Sequence, residues 1–91
     1  MAKVKIKMYA TIREKFKEGE VAVVADTVIE AIKKLVEMHP ELKEEVLDEN
    51  FNLKNDYIYL LNGRNIEFLK KGETPLKDGD KISIFPPVAG G

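Results

Sequence analysis

One stretch of the chain, residues 27–39, has the pattern of a long amphipathic helix. Thr27 stands three residues before Glu30, which is the spacing of a capping box at a helix N-terminus. Pro40 follows the stretch and ends it, because proline cannot continue a helix. Between these ends the apolar residues recur at helical spacing: Val28, Ala31, Ile32, Leu35, Val36 and Met38. Such an apolar stripe must be buried, so the sequence predicts one main helix packed on a sheet.

The strands of that sheet are predicted on both sides of the helix. Residues 3–9 alternate strictly, with Val4, Ile6 and Met8 on the predicted buried face, and with lysines and Tyr9 on the other face. Further strands are predicted at residues 20–25, 57–61, 65–69 and 81–85, with turns at Asn62-Gly63 and Asp78-Gly79-Asp80. This order predicts an α+β domain in which one helix covers a sheet of four or five strands.

Shorter segments carry weaker signals. Thr11 and Glu14 form a second capping box, which predicts a short helical turn that ends at Gly19. Residues 41–49 predict one or two further helical turns, and residues 51–56 predict a loop. Within the polar connection at residues 70–77, Leu76 is expected to reach the core.

Composition excludes several classes of function. The chain has 91 residues, which predicts a single domain over residues 1–91, and its net charge of −1 gives no electrostatic case for nucleic acid or an anionic membrane. No apolar run approaches the about 20 residues of a membrane span, and lysines interrupt the N-terminal stretch, so we expect a cytoplasmic protein. The absence of cysteine excludes disulfides, thiolate metal sites and thiol nucleophiles.

The last seven residues, 85–91, read F-P-P-V-A-G-G and form a candidate functional tail. Two prolines bias the backbone toward an extended shape, and two glycines allow a partner's backbone to approach closely. Residues 86–91 reach about 20 Å when extended, enough to carry a terminal carboxylate into a buried site. A pair of terminal glycines by itself is also compatible with a C-terminus that has no function. The complete motif after a D-G-D turn and a strand is far more specific.

The stretch from Asp78 to Gly91 resembles the ending of a ubiquitin-related family of sulfur carriers. That family contains the small subunits of molybdopterin synthases and the sulfur carriers of thiamin biosynthesis. Thr74-Pro75-Leu76-Lys77 and Ile12-Arg13-Glu14 also match, whereas residues 41–56 match weakly because this chain is longer there than the smallest members. The resemblance implies the ubiquitin-like β-grasp fold, with a mixed four- to five-stranded sheet on one main helix.

The resemblance also implies how such a protein would act. An ATP-dependent adenylyltransferase, related to ubiquitin-activating enzymes, would adenylate the carboxylate of Gly91. A sulfur donor protein would convert the acyl-adenylate to a thiocarboxylate. The large subunit of molybdopterin synthase, expected in a heterotetramer with two small subunits, would use that sulfur to build the dithiolene that holds molybdenum or tungsten. The chain itself would be no enzyme and would hold no cofactor or metal, because its partners would bind ATP and the pterin.

The partner-binding residues are predicted at the tail and its root. Pro86, Pro87, Val88, Ala89 and Gly90 would form the spacer before Gly91. Similarity to ubiquitin places Tyr59 and Leu61 inward and Leu60 outward, so that Leu60 and Phe85 would form one exposed apolar patch. Phe85 could instead fold over the edge of the core. Arg13 could pair with an acid of a partner or be solvated, and His39 is expected to serve helix-end packing rather than metal binding.

Three functions follow from these predictions. The first is sulfur transfer for the molybdenum or tungsten cofactor. The second is conjugation of Gly91 to lysines of other proteins, as in archaeal ubiquitin-like modifiers, and one protein could do both. The third is a β-grasp adaptor whose tail is never activated. The tail motif favours the first two over the third, and it is common to the first two.

Overall fold

The computed structural model describes residues 1–9, 19–54 and 57–86. The strands are β1 (Ala2–Met8), β2 (Glu20–Ala25), β3 (Ile58–Leu61), β4 (Arg64–Asn65) and β5 (Lys81–Phe85). The helices are α1 (Val28–Met38) and α2 (Lys43–Val46), and short 3-10 turns cover Pro40–Leu42, Ile66–Phe68 and Lys71–Glu73. No helix in these described ranges is long and apolar enough to cross a membrane.

The five strands form one mixed sheet in the order β2-β1-β5-β3-β4. β1 and β5 are parallel, and the remaining neighbours are antiparallel. The alternation predicted for the first strand is confirmed, because Val4, Ile6 and Met8 are buried while Lys3 and Lys5 are exposed. The α+β class and the β-grasp arrangement are therefore confirmed, with β5 in the centre of the sheet.

Helix α1 covers one face of the sheet with the predicted stripe. Val28, Ala31, Ile32 and Leu35 are fully buried against the strands. Each such Val, Leu or Ile side chain contributes about 1.5–3 kcal/mol relative to an exposed one, so the stripe is a major source of stability. Residues after the helix add to the same core, because Leu42 and Val46 are fully buried and Leu76 is buried, as predicted.

The ends of α1 follow the sequence. The Thr27 side chain accepts a hydrogen bond from the backbone N–H of Glu30 at 3.3 Å, which confirms the N-cap. Pro40 opens a 3-10 turn and ends the α-helix at Met38. The prediction that Met38 belongs to the buried stripe is wrong, since its side chain is 54% exposed. As the last residue of α1, Met38 lies beside β2 at the edge of the sheet rather than over its centre.

The predicted return strand at residues 65–69 is also wrong in its length. Only Arg64 and Asn65 pair with β3, and a 3-10 turn follows at once. The Asn65 side chain accepts a hydrogen bond from the backbone N–H of Glu67 at 2.9 Å, which favours a turn over a strand. The predicted turn at Thr11–Glu14 lies outside the described residues. Gly19, which was predicted to end that turn, has a φ of 74°, a left-handed conformation that favours glycine.

Candidate functional site

The root of the tail is the end of β5, which lies between β1 and β3. Pro86 follows β5 and is half-buried. Because proline has no N–H, it cannot extend the hydrogen-bonded ladder beyond Phe85. Five predicted tail residues, Pro87, Val88, Ala89, Gly90 and Gly91, lie outside the described residues, as does Arg13. Their roles remain predictions.

The beginning of β5 is held by Asp80, a buried carboxylate. One oxygen of Asp80 accepts from the Asn62 side-chain amide at 2.9 Å, and the other accepts from the Lys77 backbone N–H at 2.7 Å. Asn62 also donates its backbone N–H to the Lys81 carbonyl at 2.8 Å and accepts from the Lys81 N–H at 3.0 Å. The Asn62 side chain thus links the hairpin turn to β5 and fixes the strand that leads to the tail.

A second set of bonds ties the Asp78-Gly79-Asp80 turn to β1. Asp78 accepts from the Lys3 backbone N–H at 2.8 Å, and Gly79 donates to the Lys3 carbonyl at 3.0 Å. Lys5 donates to the Asp80 carbonyl at 3.0 Å. Gly79 has a φ of 89°, a conformation that glycine adopts without strain, which explains the glycine between the two acids. The tail therefore departs from a strand that is anchored to both neighbours.

At the opposite end of β5, Phe85 lies on the sheet face away from α1. Its ring stacks on Tyr9, with ring centroids 4.4 Å apart and planes 11° apart. The register of β3 and β5 places Ile58 directly opposite Phe85 and Leu60 opposite Ser83. We call Tyr9, Ile58, Leu60 and Phe85 the outer-face patch. Phe85 and Leu60 are half-buried and Ile58 is 41% exposed, so the patch presents apolar surface beside the tail root.

The predicted register of β3 is confirmed. Tyr59 and Leu61 are buried and Leu60 lies on the outer face. Leu60 and Phe85 share that face as diagonal rather than directly opposed neighbours. Phe85 does not fold over the edge of the core, since its ring lies flat against Tyr9. Ile58 lies on the same outer face and was not predicted, although the alternation reaches it two residues before Leu60.

The charges around the patch are basic on one side. Lys7 on β1 places its ammonium group 5.3 Å from the centre of the Tyr9 ring. Lys3 and Lys5 continue the same outer row along β1. A partner with an apolar centre and an acidic border would complement this surface.

His39 lies at the C-terminal end of α1, where a role in helix-end packing is expected. Its backbone N–H donates to the Leu35 carbonyl at 2.9 Å at the end of α1, and its Nδ1 lies 3.7 Å from a Glu41 carboxylate oxygen. Among residues 1–9, 19–54 and 57–86, no group of three or more His, Cys, Asp or Glu side chains could hold a metal ion.

Comparison with known proteins assigns this arrangement to a family. The model of the ThiS family matches residues 6–91, which includes β5, the outer-face patch and the tail. The chain belongs to the ThiS family. This ThiS-family chain is 30% identical over 90 residues to a predicted sulfur carrier protein of Archaeoglobus fulgidus, covering 97% of this chain and 98% of the relative. The chain is thus a ubiquitin-like protein of a sulfur-carrier family.

Solved structures of ThiS-like proteins share the fold and differ in their named roles. Small archaeal modifier protein 1 from Methanosarcina acetivorans is 36% identical, with a TM-score of 0.91 over 100% of this chain and 98% of that one. A predicted molybdopterin converting factor subunit 1 from Pyrococcus furiosus is 30% identical, with a TM-score of 0.75 over 97% and 100%. A chain of the BexX/CysO complex from Amycolatopsis orientalis is 30% identical, with a TM-score of 0.77 over 97% and 99%.

Proposed function

We propose that this chain is a sulfur carrier that acts through the carboxyl group of Gly91. The carboxylate attacks the α-phosphate of ATP on an adenylyltransferase, which releases pyrophosphate and forms an acyl-adenylate. A persulfide of a sulfur donor protein then attacks the acyl carbon and displaces AMP, which gives an acyl disulfide. A thiol attacks the donor-side sulfur of that disulfide, which releases the thiocarboxylate and leaves a disulfide on the donor. The observation that carries this proposal is the ThiS-family match extending through residue 91, with the motif F-P-P-V-A-G-G beginning at Phe85, the last residue of β5.

The described residues suit a protein that works through its end. The bonds of Asp80 and Asn62 fix the start of β5, and its pairing with β1 and β3 fixes its direction. A partner that grips the outer-face patch would therefore receive the tail at a defined point. Pre-orienting the root lowers the entropy lost when the tail enters a partner's active site. In this scheme Phe85 contributes to docking, the residues from Pro86 to Gly90 form the spacer, and Gly91 carries the sulfur.

We further propose that the sulfur goes to the pterin precursor within molybdopterin synthase. The support is the Pyrococcus furiosus relative, which is named as subunit 1 of a molybdopterin converting factor and matches over nearly the whole of both chains. The partners would be the large synthase subunit, the adenylyltransferase and a sulfur donor protein. The pterin-binding catalytic groups would lie on the large subunit, and the tail would enter that site from the patch.

A second candidate function is protein modification through the same acyl-adenylate. It is favoured by the Methanosarcina acetivorans modifier, which has the highest identity and the highest TM-score of the three solved relatives described above. In that case a lysine amine of a target protein, rather than the sulfur of a donor, displaces AMP and forms an isopeptide bond with the Gly91 carbonyl. The two functions differ in the fate of the activated tail and not in its activation. A non-activated adaptor would undergo neither step.

ATP–pyrophosphate exchange tests the shared activation step. The purified chain is mixed with the adenylyltransferase of its own source, ATP and labelled pyrophosphate. We expect label to enter ATP only when the chain ends in Gly91, with a variant lacking Gly91 as the matched control. No exchange with the intact chain would contradict both activated functions. Adding the sulfur donor protein, the large subunit and the pterin precursor then separates the two functions, since only a sulfur carrier would yield the dithiolene.

A further inference from the structure

Strand β2 forms an open edge of the sheet. The backbone N–H of Met8 donates to the carbonyl of Gly19 at 2.9 Å, which sets the alternation of the antiparallel β1–β2 ladder. In that alternation the odd-numbered residues of β2 turn their backbone N–H and C=O groups toward β1. Glu20, Ala22 and Val24 therefore point theirs to the outer edge. Within the described part of the chain, no strand pairs with that edge.

A groove of about 300 Å³ lies between this edge and α1. Ala22 and Val24 form its strand side, and Lys34, Glu37 and Met38 form its helix side. Val24 is 41% exposed and Met38 is 54% exposed, so apolar surface lies beside unpaired backbone. The ammonium group of Lys34 donates to the Val24 carbonyl and covers one end of the edge. An exposed edge with an apolar flank is the arrangement to which an extended peptide adds as a further strand.

The charges next to the edge favour an acidic partner. On the outer face, Lys3, Lys5 and Lys7 of β1 lie directly across from Val24, Ala22 and Glu20 of β2. Because Ala22 has a short side chain, a long acidic side chain on an added strand can reach over it to the ammonium group of Lys5. A second copy of this chain, paired through its own β2, would instead bring a second lysine row to the same face.

We propose that the β2 edge and its groove bind an extended segment of another protein in which apolar and acidic residues alternate. The apolar side chains face α1 and pack on Met38 in the groove. The acidic side chains meet the β1 lysines, and Lys34 exchanges the Val24 carbonyl for a carboxylate of the segment. The β2 edge and its groove contain no residue of the tail or of the outer-face patch, so the proposal does not depend on activation of Gly91.

Titration of the isotope-labelled chain with a short acetylated and amidated peptide of alternating valine and glutamate tests the proposal by NMR. We expect chemical-shift changes at the amides of Ala22 and Val24 and at the Met38 methyl group. A peptide with lysine in place of glutamate serves as the charge control. The substitution Ala22→Pro removes one outward N–H without touching the ladder to β1, because proline is tolerated at that side of an edge strand. It should weaken binding of the glutamate peptide about tenfold.

Two further variants guard against misfolding as the cause. Met38→Glu changes an exposed residue and should also weaken binding, while Lys5→Glu should weaken the glutamate peptide and strengthen the lysine peptide. Circular dichroism checks that each variant is folded. Equal binding of both peptides, unchanged affinity of folded Ala22→Pro, or shifts confined to the outer-face patch would overturn the proposal. Concentration-dependent dimerisation that Ala22→Pro abolishes would overturn it in favour of pairing between copies.

Discussion

Replacing Phe85 by alanine should separate docking from folding. The substitution removes the stack on Tyr9, worth about 0.5–1.5 kcal/mol, and the burial of about half of a ring whose full burial is worth about 1.5–3 kcal/mol. Together these predict a loss of about 2 kcal/mol in the free energy of unfolding. The free energy of unfolding of a 91-residue domain is about 5–13 kcal/mol, so the variant should remain folded.

The effect on partner binding should be at least as large. An aromatic side chain near the centre of an interface costs about 2 kcal/mol or more on truncation, which is about thirtyfold in Kd. Isothermal titration calorimetry with the adenylyltransferase measures this loss, and thermal melting measures stability in parallel. Val24→Ala, on the same sheet face but at the far edge, is the matched control and should bind normally. An unchanged Kd for folded Phe85→Ala would refute the role of the outer-face patch.

Three other substitutions test separate parts of the structure. Asp80→Ala removes two part-buried hydrogen bonds to a carboxylate and should cost about 3 kcal/mol, lowering Tm by about 12 °C or more. Asp78→Ala, at an exposed residue, should cost much less, and equal losses would contradict the role given to Asp80 at the start of β5. Tyr59→Phe removes the 3.0 Å bond to the Val46 carbonyl and should cost about 1 kcal/mol in denaturant unfolding; an unchanged midpoint would count against that bond. Deleting Gly91 should abolish pyrophosphate exchange and leave Tm unchanged, since no described core residue changes. A large drop in Tm would show that the tail contributes to the stability of the fold.

The sequence predicted those parts of the fold in which one face is buried over several periods. β2 and β5 begin and end as predicted, because their alternation and bounding turns agree. Helix α1 is fixed by the Thr27 cap and by Pro40. In these segments the local pattern and the tertiary burial demand the same structure, so a single sequence is sufficient.

Predictions failed where a side chain or a position in the fold overrode the pattern. Asn65 ends β4 by accepting from the Glu67 N–H, which apolar periodicity does not encode. Met38 has the spacing of the stripe, but it lies past the covered part of the sheet. The contacts of Phe85 with Tyr9 and Ile58 depend on strand order, which the sequence alone left open.

The most direct test of the central claim is the intact mass of the chain purified from its own source. Sulfur carriage predicts a species heavier by the exchange of one oxygen for sulfur, and fragmentation should place that change at Gly91. Alkylation of the thiocarboxylate should shift the same species. Larger species that hold Gly91 in isopeptide linkage to lysine would support the modifier. A chain with only the free carboxylate, from cells that are making the cofactor, would contradict the account.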